Sequence, residues 1–241
     1  MSRHTFSRRA ESHPGHRSVA GGLARAAVFG VSDGLVSNVS LVIGFAGAGV
    51  DSSLVRLAGI AGAIAGATSM AAGEWVSISA QNELVFRELA VERRELKHNS
   101  VSETAELAAI YEGHGMSRKI ALDAATDVMR EPEAALAVHV REELGVDPNE
   151  LGSPWSAAGL SLVCFLVGAL LPVIPWIAGS GNGAKAASII IGIIAAAAVG
   201  LLIGKFAERR MAWSAVRQVL ILLIACGVTY LIGRALGVSI N

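Results

Sequence analysis

Hydrophobic residues are concentrated in five long stretches of the chain, each of them long enough to cross a lipid bilayer. A helix spans the roughly 30 Å hydrocarbon core with about 20 residues, so each stretch predicts one transmembrane helix. The residues at 1–20 are polar and lack the apolar core of a signal peptide, and we expect a disordered basic tail there. Transmembrane helices 1 and 2 then fall in 21–81 and helices 3 to 5 in 155–241. The five stretches lie at about 25–49, 54–80, 156–178, 186–206 and 212–234.

The one sizeable polar segment, residues 82–154, separates the second stretch from the third. It holds 15 of the 20 acidic residues and eight basic ones, so it is locally acidic although the whole chain has a formal charge of zero. The second stretch has no helix breaker at its inner end, and we expect its helix to continue through 83–96. Ser100 and Glu103 then fit a capping box, which marks the start of a helix. Three further helices are predicted, at about 100–111, 117–130 and 132–145.

The composition supports an all-α polytopic membrane protein with five transmembrane helices and an acidic three-helix bundle. Hydrophobic residues make up 53% of the chain and charged residues 17%, with a mean hydropathy of +0.54, whereas soluble domains carry about 25% charged residues. The zero net charge gives no reason to expect a nucleic-acid partner. Cys164 and Cys226 lie in apolar stretches without metal-ligand spacing, which excludes a zinc module. No nucleophile–base pair, phosphate loop or cofactor fingerprint indicates an enzyme.

The basic residues predict which side of the membrane each loop faces. Seventeen of the 20 Lys and Arg fall on one side, in the N-terminal segment, in 82–154 and around the loop before the fifth stretch. Because cytoplasmic loops are enriched in Lys and Arg, we expect a cytoplasmic N-terminus, a cytoplasmic acidic segment and an external C-terminus. Compact loops and the absence of a targeting peptide favour a bacterial inner (plasma) membrane.

Asp33 is the first residue that points to a function. It lies about eight residues into the first stretch, which corresponds to a depth of roughly 12 Å at 1.5 Å per residue. An ionisable group at that depth is costly, and it marks an ion path or a proton site. Ser37 follows one helical turn later on the same face, and Asn38 lies beside that face. The alternative is that Asp33 bonds a neighbouring helix and has only a structural role.

The second stretch presents a matching face of small residues that continues through Met70 and Glu74 to Gln81. Counted from the cytoplasmic ends, Met70 and Asp33 reach a similar depth. A carboxylate beside a thioether suits a borderline-soft divalent cation, because hard cations bind sulfur poorly. A methionine in a membrane helix also commonly serves packing alone. Glu74 is interpreted as a second ligand, a proton carrier or a residue at the mouth of the path.

The acidic segment carries three pairs of potential metal ligands, each pair on one helix face. Residues three or four apart lie on the same side of a helix. Packing the three faces inward would give an oxygen-rich cluster with one imidazole, similar in principle to the carboxylate metal sites of helical bundles. The alternative is a solvated acidic surface. The pairs are Glu92 with Glu95, Glu103 with Glu106, and His139 with Glu143, and Glu142 stands beside the last pair.

Three motifs occur in a recognisable order along the chain. They are Asp33-Gly34-Leu35-Val36-Ser37-Asn38, Met70-Ala71-Ala72-Gly73-Glu74-Trp75-Val76-Ser77 and Arg141-Glu142-Glu143-Leu144-Gly145. The motifs and their membrane positions resemble the vacuolar iron transporter family, and the resemblance runs from about residue 18 to 238. It implies a homodimer of five-span protomers with a cytoplasmic three-helix metal-binding domain, which exchanges cytosolic Fe²⁺ for protons from the other side.

The resemblance also implies roles for individual residues. Asp33 and Met70 match the family's transmembrane metal path, and Glu143 matches its third-helix glutamate. The two cytoplasmic glutamate pairs of the family match Glu92 with Glu95 and Glu103 with Glu106.

Two neighbouring positions depart from the family pattern. Where the best-described eukaryotic members have two methionines, this chain has His139 and Val140. Because imidazole also suits other divalent metals, Fe²⁺ is the expected bound and transported ion, with Mn²⁺, Co²⁺, Ni²⁺ and Zn²⁺ left open. Two alternatives to a Fe²⁺/H⁺ antiporter follow: an exporter of Mn²⁺ or of divalent cations in general, and a membrane-anchored iron buffer or sensor.

Overall fold

The chain folds into nine α-helices without a β-strand among residues 22–147 and 151–238, the part that the structure, a computed structural model, describes. The predicted basic tail at 1–20 lies outside the described residues. The helices are α1 (Gly22–Gly47), α2 (Ser52–His98), α3 (Ser100–Gly113), α4 (Arg118–Val128), α5 (Pro132–Leu144), α6 (Pro154–Leu170), α7 (Ile174–Ala178), α8 (Gly181–Phe206) and α9 (Met211–Val238).

Five helical segments of the described chain are long and apolar enough to cross a membrane, so the predicted fold class is confirmed: the protein is an all-α polytopic membrane protein. Large apolar side chains on their outer faces, such as Ile64, Ile194 and Leu231, are exposed. Lipid is the solvent that suits these faces. The segments are Leu23–Gly47, Ser52–His98, Pro154–Ala178, Gly181–Phe206 and Met211–Gly237.

The third segment is not a continuous α-helix where it contains two prolines. α6 ends at Leu170, a 3-10 turn covers Leu171–Val173, and α7 follows directly. Pro172 and Pro175 have no backbone N–H, so each removes one hydrogen bond from the helical ladder. The prolines leave the preceding carbonyl groups with fewer backbone donors.

α1 lies at the centre of the bundle and packs against α2, α6, α8 and α9. Leu35, Val39 and Ile43 of α1 form one apolar cluster with Ala196 of α8 and Leu222 of α9. These side chains are buried while the opposite side of α1 carries exposed residues. The packing therefore fixes which face of α1 remains open.

Glycines allow α1 and α6 to approach almost to backbone contact. A Cβ added to Gly34 would overlap the backbone of Phe165, and one added to Gly168 would overlap the backbone of Val31. Small residues at such crossings are the usual means by which membrane helices pack closely. The contact sets the distance between α1 and α6, which form two walls of the cavity described below.

The acidic domain (residues 82–154) begins inside α2. This helix runs without interruption from the apolar bundle to His98, as the sequence predicts, and α3, α4 and α5 follow. Asn82 Nδ2 donates a hydrogen bond to the Gly152 carbonyl oxygen at 2.9 Å. The two ends of the domain therefore meet at one point beside the apolar bundle.

The predicted capping box at Ser100 does not form. The N-cap of α3 is Asn99, and its side chain makes no capping hydrogen bond. Asn99 is also the C-cap of α2, so a single residue separates the two helices and Ser100 already lies inside α3. Glu103, the expected partner in the capping box, is buried between helices instead.

Candidate metal centre

Four side chains from three helices meet in the acidic domain. Glu92 comes from α2, Glu103 from α3, and His139 and Glu143 from α5. One potential ligand atom of each residue lies within 4.8 Å of those of the others. Glu92, Glu103 and His139 are buried, whereas Glu143 is exposed at the edge. We call these four residues the carboxylate–histidine cluster.

His139 lies in the middle of the cluster. Its Nδ1 atom is 3.2 Å from Oε1 of Glu92, 3.3 Å from Oε1 of Glu143 and 3.9 Å from Oε2 of Glu103. Only the contact with Glu143 has hydrogen-bond geometry, and Oε1 of Glu92 makes no hydrogen bond within the described residues. His139 Nε2 is also buried without a partner there. One ring nitrogen thus faces three carboxylates.

Apolar packing of the surrounding helices holds the cluster together. α5 packs against α2 and buries Ala135 and Leu136, which precede His139 by about one turn on the same face. Val140, the next residue in α5, is also buried. The core between α3 and α4 consists of Leu107, Ala108, Ala121 and Ala125. The same apolar face that anchors α5 therefore carries His139 inward.

Burial and mutual repulsion change the acidity of the cluster. Burial raises the pKa of Glu92 to about 7, and the nearby Glu143 carboxylate adds to the increase. Burial also raises the pKa of Glu103, with the Glu106 and Glu95 carboxylates contributing. Because a metal binds the deprotonated form, protons and a divalent cation compete for Glu92 in the neutral pH range.

The remaining predicted ligands of the acidic domain lie outside the four-residue group. Glu95 and Glu106 are exposed, yet their charges act on Glu103, so they lie at the rim. Glu142 has another partner: its Oε2 atom is 3.7 Å from Nδ1 of His114. The structure thus brings together four of the seven residues that the sequence nominates.

The donor set of the cluster fits a divalent transition metal. Three carboxylates and one imidazole are ligands that Fe²⁺, Mn²⁺, Co²⁺, Ni²⁺ and Zn²⁺ all accept. Two of the three carboxylates, those of Glu92 and Glu103, are buried, and a cation between the three would offset their repulsion. Oε1 of Glu92 is buried without a hydrogen-bond partner among the described residues, which is consistent with an atom that binds a metal.

A second group of polar side chains lines a cavity of about 340 Å³ between α1, α2 and α6, at the depth of the apolar spans. Ser37 Oγ donates a hydrogen bond to Asp33 Oδ1 at 3.1 Å. Both residues are exposed in the single chain. The polar and flexible members of the lining are Asp33, Ser37, Asn38, Ser69 and Met70.

Ser69 is a polar cavity residue that the sequence prediction missed. Gly62, Gly66 and Ser69 follow the i, i+4, i+7 spacing of one helix face, and all three line the cavity. Helical periodicity in α2 could therefore have identified Ser69 together with Met70.

Glu74 lies one helical turn beyond Met70, towards the acidic domain and outside the cavity lining. Its Oε1 atom is 3.8 Å from Nη2 of Arg25. Along α2, Met70 and Glu92 are separated by about 33 Å at 1.5 Å per residue. The cavity and the cluster are therefore two separate sites, with Glu74 between them.

The comparisons with known proteins identify the family of the chain. A profile of the VIT family matches residues 24–234, which include the cavity and the cluster. The chain belongs to the VIT family. This confirms the family that the three sequence motifs predict.

Relatives align with the VIT chain over nearly its whole length. Vacuolar iron transporter 2 of Oryza sativa subsp. japonica is 28% identical over 226 residues, which cover 93% of this chain and 92% of the relative. The vacuolar iron transporter of Centaurea cyanus is 30% identical over 220 residues, covering 90% and 89%. Vacuolar iron transporter 1 of Arabidopsis thaliana is 27% identical over 225 residues, covering 93% and 90%.

Proposed function

We propose that this VIT-family chain is a divalent metal/H⁺ antiporter that moves Fe²⁺ out of the cytoplasm across the membrane. The observation that carries the proposal is the shared cavity of Asp33 and Met70 at membrane depth. A helix that only anchors a domain has no need of a carboxylate there, because an ionisable group inside a bilayer is costly. The names of the relatives, which are iron transporters, support Fe²⁺ as the cargo.

The carboxylate–histidine cluster supplies the first binding step. Its buried carboxylates attract a divalent cation, and the exposed Glu95 and Glu106 at the rim extend the negative field into solution. The cation then passes along α2, by way of Glu74, to the cavity. Because about 33 Å separate Glu92 from Met70, the transfer requires the ion to leave the cluster.

Proton coupling follows from competition at Asp33. The same carboxylate binds either a proton or the cation, and Met70 supplies a thioether that favours a borderline-soft metal. A proton that enters from the far side is released when the cation arrives from the cytoplasm. Exchange therefore needs no second pathway through the protein.

A second copy of the chain would cover the open face of α1. Asp33 and Ser37 are exposed in the single chain although they lie in an apolar span. Lipid solvates a carboxylate poorly, so a protein surface or a water-filled passage has to face it. A homodimer in which the two copies pair through this face provides a protein surface and a passage between them. It also places the two cavities beside the dimer axis.

The distribution of basic residues supports the direction of transport. The N-terminal segment and the acidic domain carry most of the Lys and Arg residues, which is typical of cytoplasmic segments. A metal-capturing domain on the cytoplasmic side favours export from a bacterial cytoplasm, or sequestration, over uptake.

A membrane-anchored metal buffer or sensor is the second candidate. It is favoured by one observation, that the cluster is assembled within a single chain and does not involve the cavity. Under this alternative Asp33 would be dispensable for every function of the protein. An exporter of Mn²⁺ or of several divalent cations differs only in selectivity, and His139 is the residue that favours it.

Proteoliposomes that contain an iron-quenched dye and a pH dye would test the proposal. Wild type, Asp33→Asn and a Glu92/Glu95/Glu103/Glu106→Ala variant are compared in vesicles whose acidic domain faces outward. Asp51→Asn is the matched control, because Asp51 caps α2 and lies outside the cavity. We expect Fe²⁺ entry with a rise of internal pH, abolished by Asp33→Asn and weakened in the quadruple variant.

Two results would contradict the antiporter. Normal coupled flux in Asp33→Asn would remove the assigned role of the cavity. Stoichiometric iron binding without flux in wild type, lost in the quadruple variant, would support the buffer or sensor.

A further inference from the structure

Asn38 ties three transmembrane helices together through its carboxamide group. Its Nδ2 atom donates one hydrogen bond to the Gly59 carbonyl oxygen of α2 at 3.0 Å and another to the Ala169 carbonyl oxygen of α6. The residue itself belongs to α1 and is only 2% exposed. Buried between helices and bonded to two of them, the side chain is held in one orientation.

Pro172 in the third span removes a backbone donor close to Ala169. This residue precedes Pro172 by three positions, and Pro172 has no backbone N–H to donate to its carbonyl oxygen. The Asn38 amide supplies a donor at that point. The contact therefore links α1 to the end of α6, next to the 3-10 turn.

These two hydrogen bonds also fix where the carboxamide oxygen lies. Both partners are carbonyl acceptors, so the NH₂ group has to face them and Oδ1 has to point away. Oδ1 is buried and has no hydrogen-bond partner among the described residues. A Cβ added to Gly62 would lie 3.0 Å from it, and both residues line the cavity. The free oxygen thus faces the cavity across the space that Gly62 leaves open.

Asn38 stands deeper in the membrane than the carboxylate and the thioether. It follows Asp33 by five residues, which is about 7.5 Å along α1, and Gly62 lies about 12 Å along α2 from Met70. We propose that the Asn38 carboxamide oxygen is a second coordination point, which receives the divalent cation from Asp33 and Met70 on its way to the opposite face. A neutral oxygen holds a cation less strongly than a carboxylate, so it passes the ion on. The inference rests on the proposed transport function.

Gly62→Ala tests this role without touching the two hydrogen bonds of Asn38. The added methyl group would lie against Oδ1 and against the end of the Leu41 side chain, which is flexible. Gly73→Ala is the matched control, since it is the same substitution on the same helix and its Cβ meets nothing within 4 Å. Both are measured for Fe²⁺ flux in proteoliposomes and for Co²⁺ binding in a Glu92→Gln/Glu103→Gln background.

We expect Gly62→Ala to slow Fe²⁺ flux at least about tenfold, while Co²⁺ binding to the cavity changes less than about twofold, because Asp33 and Met70 stay accessible. Gly73→Ala should match wild type in both measurements. Equal flux in the two alanine variants would overturn the role of Asn38. Absence of flux in wild type and Gly73→Ala alike would overturn the transport function, and the relay with it.

A second pair of variants covers the case in which Gly62→Ala is poorly folded. Leu41→Ala removes the side chain that the new methyl group would displace, so Gly62→Ala/Leu41→Ala retains the block at Oδ1 without the crowding. The double variant is compared with Leu41→Ala alone. Slower flux in the double variant supports the coordination point, and equal flux in the two overturns it.

Discussion

Glu92 and His139 bring Oε1 and Nδ1 to 3.2 Å from each other, although they belong to different helices and lie 47 positions apart in the sequence. Both side chains are buried, and two further carboxylates lie on the same side of the ring. This pair joins α2, which continues into the membrane, to α5. The cluster therefore includes a residue of the same helix that forms a wall of the cavity.

Metal binding at the cluster should weaken as the pH falls below neutral. The pKa of Glu92 is raised from 4.5 to about 7, so the side chain is mostly deprotonated above that pH and mostly protonated below it. A metal that displaces one proton loses affinity by about tenfold per pH unit below the pKa. Co²⁺ titrations at about pH 8 and pH 6 should therefore differ by about tenfold. Equal affinities at both values would contradict the prediction.

The metal-free protein should become more stable when Glu92 loses its charge. The folded-state pKa lies above the ordinary value of 4.5, so stability falls as the pH rises from 4.5 towards 7. Allowing for solvent screening, Glu92→Gln should recover about 1–2 kcal/mol above pH 7, or a few degrees in Tm. Thermal unfolding with a chelator at about pH 8 measures this.

The control for Glu92→Gln is Glu133→Gln. Glu133 is an exposed glutamate whose ion pair with Arg93 is 3.7 Å long. We expect no measurable change in that variant, because exposed ion pairs contribute little. Near pH 4.5 the advantage of Glu92→Gln should disappear. A variant that is less stable than wild type without metal would show that the cluster carboxylates do not repel one another.

His139→Met should change the metal preference of the cluster. Zn²⁺, Co²⁺ and Ni²⁺ gain more from an imidazole than Fe²⁺ does, so a thioether in its place should lower their affinities further than that of Fe²⁺. We expect the Zn²⁺/Fe²⁺ affinity ratio to fall about tenfold, measured by anaerobic calorimetry. His114→Met should leave the ratio unchanged, since His114 faces Glu142. An unaltered ratio in His139→Met would mean that the ring is no ligand.

The transmembrane helices were predictable from the sequence because each depends on a local property, a run of about 20 apolar residues. The inward face of the acidic domain was predictable only in part. Helical spacing pairs Glu92 with Glu95 and Glu103 with Glu106, yet the first of each pair is buried and the second exposed. The choice between them depends on how α2, α3 and α5 pack, which spacing within one helix does not contain.

The capping box was predicted wrongly for the same reason, since a local pattern does not contain the packing between helices. Ser100 and Glu103 satisfy the local pattern, but α2 extends to His98 and leaves only Asn99 as a link. Glu103 is then drawn into the cluster by packing. The two hydrogen bonds that Asn38 donates could not be predicted from the sequence either, because their acceptors lie 21 and 131 positions away.

Close packing of α1 and α6 should make Gly168 intolerant of any side chain. A Cβ there would overlap the Val31 carbonyl group, and neither backbone can move freely. We expect Gly168→Ala to cost about 3 kcal/mol, which corresponds to a fall of about 6–12 °C in Tm. Gly159→Ala on the same helix meets nothing within 4 Å and should be neutral or slightly stabilising. Similar Tm values for the two variants would contradict the close approach.

Glu74 and Arg25 form an ion pair, and their separate replacement distinguishes a structural role from a transport role. The guanidinium group is largely exposed and lies 3.8 Å from the carboxylate, so the pair itself contributes at most about 1 kcal/mol. If Glu74 carries the cation between the cluster and the cavity, Glu74→Gln should slow Fe²⁺ flux about tenfold, whereas Arg25→Gln should not slow it. Flux and Tm are measured for both variants. Equal, small effects of the two substitutions on flux would mean that Glu74 has no role in transport and serves only as the ion-pair partner of Arg25.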